Sequence, residues 1–209
     1  MNMSLSHADA GTAAAASRPR KPRRVWTLWV LLAICLAPVV ASYLAYYVFN
    51  IEARNNYGDL IEPQRDFPSW PATTLDGQPF DLASLRGRWI MLSVDSGACD
   101  EACAKRLYVM RQVRATTGKE RNRIERVWIA TDQANPIPAL VAAHEGLHML
   151  RVDPAPIRAF LPTADGTRME DHIYLIDPLG HLMMRWPKDV DPNRMKKDVS
   201  KLLRASRIG

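Results

Sequence analysis

Residues 25–51 read VWTLWVLLAICLAPVVASYLAYYVFNI, a stretch without one charged side chain. The hydrocarbon core of a bilayer takes about 20 apolar residues as a helix, so this stretch is long enough to cross it. It divides the chain into a short arm before it and a large body after it. Trp26 and Trp29 lie near one end, and Tyr43, Tyr46 and Tyr47 near the other. Such amphipathic rings suit the two water interfaces. Pro38 sits inside, where a membrane helix tolerates it. A cleaved signal peptide has a shorter apolar region, roughly 7–15 residues, followed by a small-residue cleavage site. Here the run is longer and aromatic residues follow it. The reading is an uncleaved anchor over residues 25–50.

Arg18, Arg20, Lys21, Arg23 and Arg24 precede the anchor, with no acid among them. The positive-inside rule puts that end in the cytoplasm and everything after the anchor on the far side. For a bacterial inner membrane, the far side is the periplasm. Residues 1–24 are expected to be a disordered basic arm, small and polar over residues 1–17. From residue 52 onward there are 23 Lys/Arg and 21 Asp/Glu, so the body is nearly neutral. A nucleic-acid binder carries its basic excess on its folded part, so no nucleic-acid partner is expected. The cysteines are Cys35, Cys99 and Cys103, too few for a disulfide scaffold. Cys35 lies inside the anchor and reads as a small apolar residue.

Residues 51–69 hold few apolar side chains and read as a tether that becomes the domain's first edge. The folded domain is expected over residues 70–209, enough chain for one proper core. TTLDGQPF, residues 73–80, is a hairpin signal around Asp-Gly. WIMLSV at 89–94 and RVWIAT at 126–131 are short runs, apolar nearly throughout, which suit strands buried on both faces. Residues 99–117 carry Cys103, Leu107, Met110 and Val113 at helical steps, with Gly118 as the stop. Further elements are a helix over 138–145, a strand over 147–152 and a short helix over 156–161. A strand over 171–176 turns through DPLG into a partner strand over 181–186. A closing helix follows over 193–204, capped by Asp191 or Asp189. Strands alternating with helices predict an α/β fold, a central mixed sheet covered by helices.

VDSGACDEAC, residues 94–103, holds the chemistry. Cys99 stands where a buried strand gives way to a helix, and Cys103 lies one turn on, on the same face. The free N–H groups and partial positive charge of a helix N-terminus favour a thiolate. Asp100 and Glu101 act partly against that. Three roles are open to the pair: redox exchange, metal binding, or a plain disulfide in an oxidising compartment. A disulfide this local adds little by loop entropy. His144 and His148 are four apart but have no third partner, so they read as surface residues. Met183 and Met184 read as packing residues.

TTLDGQPFDLASLRGRWIMLSV, the C-x-x-x-C of Cys99 and Cys103, VWIATD and YLIDPLG together resemble the Sco/SenC family over roughly residues 70–185. Its members are membrane-anchored thioredoxin-fold proteins that assemble the copper centre of cytochrome c oxidase. The resemblance implies a thioredoxin-like fold. It implies copper held by two cysteines and a downstream histidine, and thiols that also exchange disulfides. Met169 stands five residues before Tyr174, at the spacing of the family's ligand histidine, and His172 stands two before it. Copper(I) accepts thiolate, thioether and imidazole, so the ligand set implied is Cys99 and Cys103 with His172 or Met169. The function expected is thiol–disulfide exchange on a copper-site partner, the copper-binding subunit of cytochrome c oxidase or another assembly factor. The alternatives are a copper(I) chaperone and a non-catalytic oxidase accessory with an idle disulfide.

Overall fold

The computed structural model describes residues 23–47 and 56–208. The chain divides into two compact units, residues 1–53 and 54–209. In the first, Arg23–Tyr47 forms helix α1, with Pro38 inside it. Within it, Val25–Ala45 is long and apolar enough to cross a membrane. The disordered arm expected over residues 1–24 lies outside the described residues except for Arg23 and Arg24, which are in α1.

The second unit is built on one mixed sheet of eight strands. They are β1 (Asp59–Asp66), β2 (Ala72–Thr74), β3 (Pro79–Phe80), β4 (Trp89–Asp95), β5 (Ile124–Ala130), β6 (Leu147–Arg151), β7 (Ile173–Ile176) and β8 (His181–Trp186). Their spatial order is β1-β8-β7-β4-β5-β6-β2-β3. The centre, β4-β5-β6, is parallel; β7, β8 and β1 continue antiparallel on one side, and β2 and β3 on the other. The helices are α2 (Glu101–Thr116), α3 (Pro138–Ala143), α4 (Pro154–Phe160) and α5 (Pro192–Ala205).

The two apolar runs behave as their sequences demand. Every residue of β4 and of β5 is buried. Alternation sends Leu92, Val94, Val127, Ile129, Tyr174 and Ile176 to one face of the sheet, where Ile157 and Leu161 meet them. Met91, Trp128, Ile173 and Leu175 go to the other face, under Cys103, Leu107 and Met110 of α2 and Met195 and Val199 of α5. The helical stripe read from the sequence is therefore the buried face of α2. Asp191 caps α5, accepting from the N–H of Asn193 at 2.8 Å.

Within the stretch read as a tether that becomes the domain's first edge, β1 pairs antiparallel with β8 and forms one edge of the sheet. Only Ile61 of β1 is buried, so an edge strand with seven of its eight side chains outside the core leaves no apolar pattern to read. Residues 51–55 lie outside the described residues. The second helix begins at Glu101 rather than at residue 99, because Asp100 is its N-cap and accepts from the N–H of Cys103 at 2.9 Å.

Candidate functional site

The site is assembled where β4 ends. Asp95 is the last residue of the strand, Ser96, Gly97 and Ala98 turn the chain, and Cys99 and Asp100 lead into α2. Cys99 and Cys103 are joined as a disulfide, with their Cα atoms 5.1 Å apart. Cys103 has no exposure and belongs to the core under α2, whereas Cys99 is half-buried at its margin. One sulfur is thus approachable and the other is covered.

Cys99 has φ +48°, the only non-glycine residue with positive φ among the described residues. For a residue with a Cβ that conformation costs about 1–2 kcal/mol, so its surroundings must impose it. Part of the constraint is local: the Cys99 N–H donates to Ser96 O at 3.0 Å, and the Ala98 N–H to Ser96 Oγ at 3.3 Å. The rest comes from Asp132, in the loop after β5. Its carboxylate accepts from Ser96 Oγ at 2.7 Å, the Gly97 N–H at 2.8 Å and the Ala134 N–H at 3.0 Å. These donors hold the Asp132 carboxyl below the usual carboxylate range, the Ser96 hydroxyl foremost. The approach is close enough that a Cβ on Gly97 would stand 2.0 Å from Ala134 O. Only glycine fits there.

Asp95 and Arg106 form a buried ion pair beneath this turn. Loss of water pushes the Asp95 carboxyl up, opposed by the Ser96 N–H and by Arg106. On the outer side, a groove of about 440 Å³ runs along the start of α2, lined by Asp100, Glu101, Lys105, Lys188 and Asp189.

The other residues read as metal ligands do not join the sulfurs. Met169 is buried in the core on the opposite face of the sheet from Cys103. His172 follows the alternation of β7. Its neighbour Ile173 faces the α2 side, so His172 lies with Tyr174, ring centroids 6.0 Å apart. Both its nitrogens are engaged: Nδ1 lies 2.8 Å from Trp186 O and Nε2 lies 2.7 Å from Thr167 Oγ1. Burial pushes its pKa down, so the ring is neutral. A carbonyl only accepts, so the neutral ring carries its proton on Nδ1, and the Thr167 hydroxyl beside Nε2 donates to Ala164 O at 2.7 Å. In this disulfide-bonded form neither His172 nor Met169 stands with the two sulfurs. No group of three His, Cys, Asp or Glu side chains suited to a metal occurs among the described residues.

Sequence reasoning missed Asp132, Ser96 and Gly97 as parts of the site. The junction of strand and helix at Cys99 was legible, but its clasp lies 35 and 36 positions along the chain, and a single sequence carries no local sign of that contact.

The fold is shared with solved thioredoxin-like proteins. Yeast Sco1 with copper bound matches at TM-score 0.53 and 13% identity, over 68% of this chain and 91% of that one. Arabidopsis thaliana ScoI with copper bound matches at TM-score 0.51 and 18% identity, over 68% of this chain and 100% of that one. A thiol:disulfide interchange protein from Bacteroides sp. matches at TM-score 0.50 and 14% identity, over 69% and 91%. At such identities the likeness is one of fold. No curated protein sequence matches the chain. The mixed sheet with its helices bears out the thioredoxin-like architecture expected from the sequence. Residues 89–206 match the family model described as the transmembrane-like, thioredoxin-like, C-terminal domain, and the chain belongs to that family.

Proposed function

We propose that the chain is a membrane-anchored thiol–disulfide exchanger acting in cytochrome c oxidase assembly. Its partner would be the copper-binding subunit of the oxidase or another assembly factor. The observation that carries the reading is the unequal sulfur pair: Cys99 half-buried at the head of α2, Cys103 with no exposure. The five positive residues from Arg18 to Arg24, ahead of the apolar stretch, support a cytoplasmic N-terminus and a periplasmic domain on a bacterial inner membrane.

In the reduced protein, the Cys99 thiolate attacks one sulfur of a partner disulfide and the other partner sulfur leaves as a thiolate. The Cys103 thiolate then attacks Cys99 Sγ in the mixed disulfide. The Cys99–Cys103 bond forms, two electrons have passed to the partner, and the partner departs as a dithiol. The helix N-terminus lowers the cost of the Cys99 thiolate.

The test is trapping. Full-length Cys103→Ser in detergent, presented with the oxidised copper-site peptide of the oxidase subunit, should accumulate a mixed disulfide through Cys99 that is absent in Cys99→Ser. No adduct in Cys103→Ser removes the reading. Copper(I) as cargo is the second reading, supported by the adjacency of two soft sulfur donors and by the copper-bound Sco proteins of like fold. Titration of the reduced protein against a strong copper(I) chelator tests it, and failure to compete excludes it.

A further inference from the structure

The turn that carries Cys99 is held from outside itself, and the holder is also held. Asp132 grips Ser96 Oγ, the Gly97 N–H and the Ala134 N–H together. Thr131, just before it, donates its N–H to Asp95 O at 2.9 Å, so the ends of β4 and β5 are tied at their backbones. From β6, Arg151 fixes the loop of Asp132: Nη2 donates to Ala134 O at 3.0 Å and to Asn135 Oδ1 at 2.7 Å, and Nη1 donates to Leu75 O at 3.0 Å. Gly97 leaves the two loops no slack, since a Cβ there would meet Ala134 O. A carboxylate so anchored is a rigid clasp on a turn whose next-but-one residue, Cys99, sits in the left-handed region.

We infer that Asp132 is a positioning residue for the sulfur pair: by clasping Ser96 and Gly97 it holds Cys99 against Cys103 and thereby sets how readily the disulfide is reduced. The physical reason is preorganisation. Two thiols on a fixed turn meet at a higher effective concentration than two on a loose one, which favours the closed disulfide. The inference deepens the exchange reading and rests on it for its biological meaning. Its test needs no partner.

The reaction to measure is the equilibrium of the full-length protein in nonionic detergent with glutathione. Two glutathione thiols and the Cys99–Cys103 disulfide give glutathione disulfide and two protein thiols, with two electrons moving to the protein. In Asp132→Ala the equilibrium constant should move at least about tenfold toward the dithiol, which corresponds to about 30 mV in potential. Gly97→Ala, whose Cβ would stand 2.0 Å from Ala134 O and 3.0 Å from Asp132 Oδ1, pushes the turn off its clasp while the carboxylate remains, and should move it in the same direction. Asp132→Asn keeps the acceptor oxygen for Gly97 and Ala134 and should stay within threefold of wild type. Asp177→Ala is the control. That carboxylate accepts from Leu179 and His181 in the β7–β8 turn and has no contact with the cysteine turn. It too should stay within threefold. The inference is overturned if Asp132→Ala lies within threefold of wild type, if Asp177→Ala shifts as far, or if Asp132→Ala fails to fold while Gly97→Ala is unchanged. A partner that cannot be trapped would sink the exchange reading and leave this result standing.

Discussion

Burial decides the charge on His172. Its ring is 1% exposed, and the loss of water pushes its pKa down, opposed by the hydrogen bond to Trp186 O. His144 is pushed down likewise by loss of water, then by Arg111 and Arg126. Both rings take a proton more readily when unfolded than when folded. Their neutral forms therefore fit the fold above the unfolded histidine pKa of about 6.5, and stability falls as the pH drops below it. The urea midpoint of the full-length protein should decrease from about pH 7.5 to about pH 5.5, a window set by that unfolded value. His144→Gln/His172→Gln should lose most of that slope. A wild-type midpoint that holds level across the window contradicts this account. The same facts show why the sequence does not reveal where His172 lies relative to the sulfur pair. Its distance from Tyr174 is visible in sequence, but the face of β7 on which it lands is fixed only by what covers each side of the sheet. Cys99 and Cys103 were legible because their relation is local, four residues apart at the start of one helix. Asp132 was not, because its partners lie across the parallel β4–β5 pairing.

Among the elements, α5 does more than close the fold. Asp198, buried within it, accepts from the Tyr57 N–H at 3.0 Å, the Gly58 N–H at 2.8 Å and Trp186 Nε1 at 3.0 Å. One carboxylate thus ties the start of β1 and the end of β8 to the helix. A Cβ on Gly58 would stand 2.9 Å from Trp186 Nε1, so the backbone must be bare to come that close. Asp198→Ala would strand those donors, and an unpaired buried donor costs about 1–3 kcal/mol. A total loss of about 2–4 kcal/mol in urea unfolding is expected, together with loss of hydrogen-exchange protection in β1 while β4 and β5 stay protected. Retained protection in β1 would show that Ile61 and the β8 ladder suffice. This attachment also accounts for the limit of sequence reading at this scale. Central strands and the amphipathic helices announce themselves by apolar content, so β4, β5, α2 and α5 were legible to within a few residues. A strand such as β1, polar along its length and held by its backbone and by a carboxylate far along the chain, offers no such signal.

At the scale of the whole molecule, an exchanger must keep its shape through both redox states. The disulfide spans only four residues of sequence. By chain entropy a loop that short stabilises by about 2 kcal/mol, against about 3 kcal/mol for a 15-residue loop. The fold has larger resources: seven consecutive residue pairs join β4 to β5, and two apolar layers sandwich the sheet. Both sulfurs also lie on α2 or just before it, so opening the bond frees no distant pair of elements. Reduction should accordingly leave the far-UV circular dichroism of the full-length protein unchanged and unfolding cooperative. A stability loss of about 2 kcal/mol in a chain of this size would lower Tm by roughly 4–8 °C. Cys99→Ser/Cys103→Ser should match the reduced wild type. If reduction instead abolished the cooperative transition, the bond would be a staple on which the fold depends, and a protein that unfolds each time it gives up its disulfide could not turn over. A modest fall in Tm with the sheet intact is the outcome that exchange at Cys99 requires.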